Sequence, residues 1–333
     1  MADELRDASP GQPAAAGPAG PARPLGPAAD PAARDPGALF DRVPSLAARP
    51  RSVRELPGGL TNRNYRVTTP DGDFVARVWS GGGDLLAIDR DNEYRNSVTA
   101  AAAGVGAPVV EYVPAHCVLV LRYLQGRTFT NADVAAGGNI ARIAAACRRL
   151  HSGGRFAGDF DMFDIQRRYL AVVSSRGMRI PRGYDDAAGK FEAMRSALAV
   201  RATATVPCNN DLLAGNFIDD GDRIWLIDYE YSGNNDPCFE LGNIWAECGL
   251  SADALAALVT DYHGGPVRNK VARAQILGLI GRYGWTLWGA IQHASSPIEF
   301  DFWGWAMERF EAAAAVMTSP AWARLLDEAA RDD

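Results

Sequence analysis

In the first third of the chain, apolar positions alternate with polar ones. Residues 62–69 (NRNYRVTT) and 72–79 (GDFVARVW) carry this β-rich, period-two pattern. Pro70-Asp71-Gly72 between them is a turn signal, so the pair reads as a hairpin. Residues 90–103 predict a helix stopped by Gly104-Val105-Gly106. Residues 109–113 and 117–123 predict two further strands, ended by Gly126. The period then becomes helical: over residues 139–151, Ile140, Ile143, Ala144, Cys147 and Leu150 fall on one face. Helical patterns return over residues 253–262, 271–292 and 302–317. Residues 216–229, split by Asp220-Gly221-Asp222, predict a second hairpin. The pattern therefore predicts a small antiparallel-sheet lobe over residues 39–123 and a larger, mainly helical lobe over residues 124–333.

Residues 1–38 change this picture only at the margin. They consist mainly of Ala, Pro and Gly, with eight prolines and almost nothing bulky to bury, and read as a disordered tail. A Pro-rich docking segment is the functional alternative. Overall, 34 Lys+Arg against 40 Asp+Glu give a net charge of −6, so no global basic field exists to collect nucleic acid or anionic lipid. A bound phosphate must be held locally. The five cysteines lack CxxC spacing, which argues for reduced thiols in a cytoplasmic setting and against a disulfide framework. No run approaches the ~18–20 apolar residues of a membrane span. The four histidines lack metal spacing, and His151, closing a helix, reads as a capping or packing residue.

Three clusters carry candidate chemistry. Gly58-Gly59-Leu60-Thr61-Asn62 precedes a strand, where paired glycines let backbone N–H groups approach an anion; such a pair is equally a plain turn. Arg77 lies in the apolar strand FVARVW, and Glu93 on the following helix is a partner for it, unless Arg77 reaches water from an edge strand. Such a cation and glutamate are how phosphoryl-transfer enzymes of the kinase type hold nucleotide phosphates. The most specific cluster is Asn210-Asp211-Leu212-Leu213-Ala214-Gly215-Asn216, followed by Ile227-Asp228-Tyr229-Glu230-Tyr231. One carboxylate there suits a hydroxyl acceptor, while the Asn and a second carboxylate suit Mg²⁺ through oxygen.

On these motifs the chain resembles the choline/ethanolamine kinase branch of the aminoglycoside-phosphotransferase-like kinases, from about Leu39 onward. The resemblance implies an α+β, two-lobed protein-kinase-like fold that binds ATP and Mg²⁺ and acts on a small amino alcohol. It implies a nucleotide site at Gly59, Leu60, Thr61, Asn62, Arg77 and Glu93, with Arg122, Tyr123 and Leu124 in the connection between lobes. It further implies Asp211 as the base, and Asn216, Asp228 and Glu230 as metal ligands. Two residues depart from the family: Asn209 stands where His is common, and Glu240 where Asp is usual.

The choice of choline as acceptor rests on aromatic residues. Trp285 and Trp288 are i, i+3 neighbours on one predicted helix face. Trp303 and Trp305 follow, and Tyr231 and Trp245 flank the metal segment. A quaternary ammonium donates no hydrogen bonds, so ring faces are what hold it, often helped by a carboxylate. In the family pattern the WxxW pair and an aromatic at Trp305 build that box, with Tyr231, Trp245 and an acidic wall at Glu247 beside it. Plain helix-core packing is the other reading of tryptophans at this spacing. Ethanolamine kinase, an aminoglycoside phosphotransferase and a nucleotide-binding pseudokinase are the rival functions. Oligomeric state is not legible.

Overall fold

The computed structural model describes residues 35–80 and 85–332. Order begins earlier than residue 39: helix α1 (Pro36–Phe40) starts on a proline, a good first helical residue, and Asp35 caps it by accepting from Gly37 N at 2.8 Å. Leu39 and Phe40, the first bulky apolar pair after the Pro-rich run, are what anchor it. The rest of the expected tail, residues 1–34, lies outside the described residues.

Strands β1 (Ser52–Leu56), β2 (Asn62–Thr69), β3 (Gly72–Trp79), β4 (Val109–Val113) and β5 (Val118–Arg122) form one antiparallel sheet in the order β1-β2-β3-β5-β4. β1 has no clean alternation in the sequence and was not foreseen. The β2–β3 hairpin pairs Asn62 with Trp79, and β3 pairs Arg77 with Leu119, so Arg77 sits on a central strand and not an edge. Phe40, Leu46, Tyr65, Val67, Phe74, Ala76, Val78, Val118 and Val120 make this lobe's core. Helix α2 (Arg90–Ala102) is capped by Asp89 and buries a polar face, Glu93, Asn96 and Ser97. Asn92 and Asn96 donate to the Ser232 carbonyl, so α2 grips the second lobe through hydrogen bonds.

The second lobe begins with β6 (Arg127–Thr128), α3 (Asn131–Ala135) and α4 (Asn139–His151), followed by α5 (Met162–Ser175) and α6 (Ala188–Ala199). Strand β7 (Val206–Cys208) pairs with β10 (Gly233–Asn235), and between them β8 (Phe217–Asp219) and β9 (Ile224–Leu226) form the expected hairpin. Helices α7 (Pro237–Cys248), α8 (Ala252–His263), α9 (Arg268–Ser295), α10 (Phe302–Met317) and α11 (Trp322–Ala330) complete it. Long, buried α9 is the lobe's axis, packed by α5, α7, α10 and α11. This is the two-lobed protein-kinase-like fold. Among the described residues no helix is long and apolar enough to cross a membrane, and the five cysteines are unpaired.

The α7–α9 crossing places the site, because α7 carries Glu240 and Glu247 while α9 carries Trp285 and Trp288. It depends on glycines at close approach. A Cβ on Gly242 would collide with the Ala274 carbonyl and lie 2.7 Å from Gly278 N. Gly242→Ala is expected to cost about 1–3 kcal/mol by overpacking and to lower Tm by several degrees. Gly189→Ala in α6, where a Cβ meets nothing within 4 Å, is expected to leave Tm unchanged or raise it slightly. Equal melting curves for the two variants would refute the close-packing account.

Candidate active site

Residues far apart in sequence meet where the lobes join. Arg77 Nε lies 3.0 Å from Glu93, and its Nη2 is 2.6 Å from Asp228 and 3.7 Å from Glu230. Arg90 adds a second cation, 2.6 Å from Glu93 and 3.2 Å from Glu230. The predicted Arg77–Glu93 pair is thus present, extended to the two acids after β9. Ringed by carboxylates, the Arg77 guanidinium is held more firmly charged than usual despite its burial.

The Gly-Gly loop is tied down from below. Gly59 has φ +133°, and a Cβ there would run into the Asn62 carbonyl, so only glycine fits. Thr61 Oγ1 donates to Glu230 at 2.8 Å, and Asn62 Nδ2 donates to it at 2.8 Å. The Leu60 carbonyl accepts from Gln292 on α9, a contact that no local sequence pattern foretold. Glu230 therefore faces protein donors, and burial and Asp228 raise its pKa to about 7 against the pull of Arg90 and Arg77.

Asp211 differs: among the described residues its carboxylate accepts no hydrogen bond, and only its backbone is engaged, with Asn209 Oδ1 and Asn216 Nδ2. Withdrawal from water, with Asp228, Glu247 and Glu230 nearby, pushes its carboxyl well above the usual carboxylate range; Arg309 opposes. Asn216 uses its amide nitrogen on the Asp211 carbonyl, which turns its Oδ1 away as an oxygen donor. The sequence takes an unusual backbone here. Asn210 and Asp228 have φ of 68° and 65°, a left-handed region that costs non-glycine residues energy. Asn210 is held there by donating to the Tyr231 and Gly233 carbonyls and accepting from Asn235.

Asn209, in the place of the family His, bridges the two chemical segments: its Nδ2 donates to the Ile227 and Asp228 carbonyls at 3.1 and 2.8 Å. Glu240 is fully buried, and its two oxygens accept from the backbone N–H groups of Asn209 (2.9 Å) and Asn210 (2.7 Å). His151 lies against it, with Nε2 3.6 Å from Glu240 and 3.6 Å from Cys208 Sγ, and its Nδ1 meets Tyr262. His151, Cys208 and Glu240 present ligand atoms within 4.8 Å of one another, a juxtaposition invisible in their spacing. Both Glu240 oxygens are occupied by the loop, consistent with the packing role expected of His151.

In the connection between lobes, Arg122 lies over the Phe74 ring and donates to the Asp71 carbonyl, while Tyr123 stacks under Arg66. These side chains brace the β2–β3 hairpin, and Leu124 is partly buried between β5 and β6.

The rings gather around Tyr231, which feels the Asp211 charge. Tyr231 meets Trp285 edge-on at 4.8 Å, and its hydroxyl accepts from Trp288 Nε1 at 2.8 Å. Trp288 packs on Trp305 at 5.1 Å and on Phe302 at 5.8 Å; Phe302 was not singled out in the sequence. Trp285 and Trp288 are 4% and 6% exposed, so both also serve the core. Trp303 instead pairs with His293 and Arg179. Trp245 does not join the group: its ring lies under Arg282 at 5.0 Å. Glu247 is paired with Arg309.

The phosphotransferase enzyme family matches residues 52–273. A choline/ethanolamine kinase family protein from Mesorhizobium loti superposes with a TM-score of 0.78 at 34% identity, covering 89% of this chain and 98% of that one. Protein LicA of Haemophilus influenzae is 26% identical over 270 residues, 77% of each chain. Ethanolamine kinase 2 of Mus musculus is 27% identical over 303 residues, 79% of this chain and 76% of that one. Fold and family model together define a phosphotransferase, and within that class the chain belongs to the choline/ethanolamine kinase family.

Glu240→Gln sets an amide N–H₂ against a backbone N–H and leaves a buried donor unsatisfied, at a cost of about 1–3 kcal/mol. The variant is expected to lose at least about tenfold in kcat while the nucleotide KM changes little, since only the catalytic loop is released. Unchanged kcat in a folded variant would remove Glu240 from loop positioning.

Proposed function

We propose that the protein transfers the γ-phosphate of ATP to the hydroxyl of choline, giving phosphocholine and ADP. One observation carries this reading: Asp211, whose carboxylate accepts no hydrogen bond among the described residues, feels both the acids of the buried arginine–acid cluster and Tyr231 of the edge-on and tilted ring group. The cluster suits phosphates and the rings suit a cationic alcohol.

In this reading Asp211 accepts the acceptor's hydroxyl proton as the alcohol oxygen bonds to the γ-phosphorus and the bond to the β–γ bridging oxygen breaks, releasing ADP. Arg77, fixed by Glu93, faces the phosphates, and the loop from Gly59 to Asn62 covers them with backbone N–H groups. Asp228 and the Asn216 Oδ1 form an all-oxygen set beside uncompensated carboxylate charge, which fits Mg²⁺. That ion, when bound, supplies charge neutralisation at the phosphates. Glu230, expected as a further ligand, serves here to hold Thr61 and Asn62. The backbone of residues 122–124 borders the nucleotide base, and Tyr231, Trp285, Trp288 and Trp305 receive the trimethylammonium group. Family membership and the family's amino alcohol substrates support the assignment, and a cytoplasmic location is proposed with it.

Asp211→Asn is expected to preserve folding and ATP binding and to lower kcat by at least about 10²-fold. Near-normal turnover would remove Asp211 from the proton transfer. Trp288→Ala is expected to raise the KM for choline by about ten- to a hundredfold, with the ATP KM unchanged. Equal losses for choline and ethanolamine in a less stable protein would reduce Trp288 to core packing.

A further inference from the structure

The ring cluster has a cation of its own. Arg309 on α10 lays its guanidinium carbon 3.4 Å from the centroid of Trp305, the ring that packs on Trp288. The same guanidinium pairs with Glu247, and these side chains are only 13% and 5% exposed. Arg309 Nη1 donates to the Trp305 carbonyl, while its buried Nε has no hydrogen-bond partner among the described residues. Both members of the pair influence Asp211, Glu247 raising its pKa and Arg309 lowering it, so the pair lies beside the acceptor side of the site. A second cation, Arg282, feels the Glu247 charge as well, but its guanidinium lies over the Trp245 ring and donates to the Ala246 carbonyl, so the direct ion pair of Glu247 is with Arg309.

A carboxylate and a ring face are the two features that recognise an ammonium group, and here one guanidinium occupies both. The consequence differs between amines. A primary ammonium brings N–H donors that need acceptors once they leave water, and an unmet donor is costly. A trimethylammonium group brings none and needs only ring faces.

We infer that Arg309 is a specificity-determining residue: by holding Glu247 it withdraws the carboxylate that ethanolamine needs, and it leaves Tyr231, Trp285 and Trp288 to select choline. The inference rests on the amino alcohol reading above and adds the residue that decides between the two amines. Arg309 acts through Glu247 and Trp305, without touching the reacting atoms.

The test compares kcat/KM for choline and ethanolamine, with melting curves, in the wild-type protein and three variants. Arg309→Gln frees Glu247 and is expected to lower the choline-to-ethanolamine ratio by at least about tenfold, through a lower ethanolamine KM. Arg309→Lys keeps a cation on Glu247 and is expected to hold the ratio within about threefold of wild type. Glu247→Gln frees no carboxylate and is likewise expected to keep the ratio, which serves if Arg309→Gln does not fold. Proportional losses on both amines in Arg309→Gln, or a selective loss of ethanolamine in Glu247→Gln, would overturn the inference. A wild-type protein that phosphorylates neither amine would fail earlier, at the acceptor reading itself.

Discussion

A buried guanidinium on a central strand cannot stand alone, and the way Arg77 is satisfied organises the junction of the two lobes. Its partners come from three elements: Glu93 on α2, and Asp228 and Glu230 on the segment after β9. Removing one partner of such a set strands a charge in the interior, so the sheet, α2 and the acidic segment are fixed together. Glu230 passes the constraint onward to Thr61 and Asn62, which brings the glycine loop down over the same acids. The balance of charge is what makes the junction chemically useful. Arg77 and Arg90 do not neutralise Glu93, Asp228, Glu230 and Asp211 together, and the surplus is where a divalent cation and its phosphates are proposed to bind.

The catalytic loop is held by a second, separate set of contacts. Asn210 and Asp228 sit in left-handed backbone, a strained geometry that persists only where surrounding bonds fix it. Glu240 from α7, Asn209 across to Asp228, and the Asn210 side chain supply those bonds. The result is an Asp211 carboxylate that accepts no hydrogen bond among the described residues while its backbone is fixed on both sides. Preorganisation of this kind lets a base meet a hydroxyl without first reordering the loop.

The legible parts of the fold were those with local periodicity. The β2–β3 hairpin, α2, α4 and α8 to α10 announce themselves by alternation, helical spacing or turn residues. β1 carries no such alternation, and α1 is hidden at the end of a Pro-rich run where only Leu39 and Phe40 betray it. In the candidate site, the Arg77–Glu93 pair was legible from a cation on an apolar strand and an acid on the next helix, and the structure adds Asp228 to it. Arg122 and Tyr123 were assigned by position alone, yet their side chains turn to the hairpin. Trp245 was grouped by residue type, yet its ring turns to Arg282. Glu240, Gln292, Phe302 and Arg309 act through contacts that only the folded chain creates, as when Gln292 meets Leu60 across 232 positions.

The central claim is that the arginine–acid cluster and the ring group serve one reaction, phosphoryl transfer to a small cationic alcohol. It is tested most directly by measuring ADP release from ATP and Mg²⁺ with choline, ethanolamine, thiamine and an aminoglycoside supplied in turn. The account predicts release that depends on the amino alcohols, is fastest with choline, and yields phosphocholine in equal amount to ADP. Release that is indifferent to all four compounds, or that responds to the aminoglycoside alone, would contradict it.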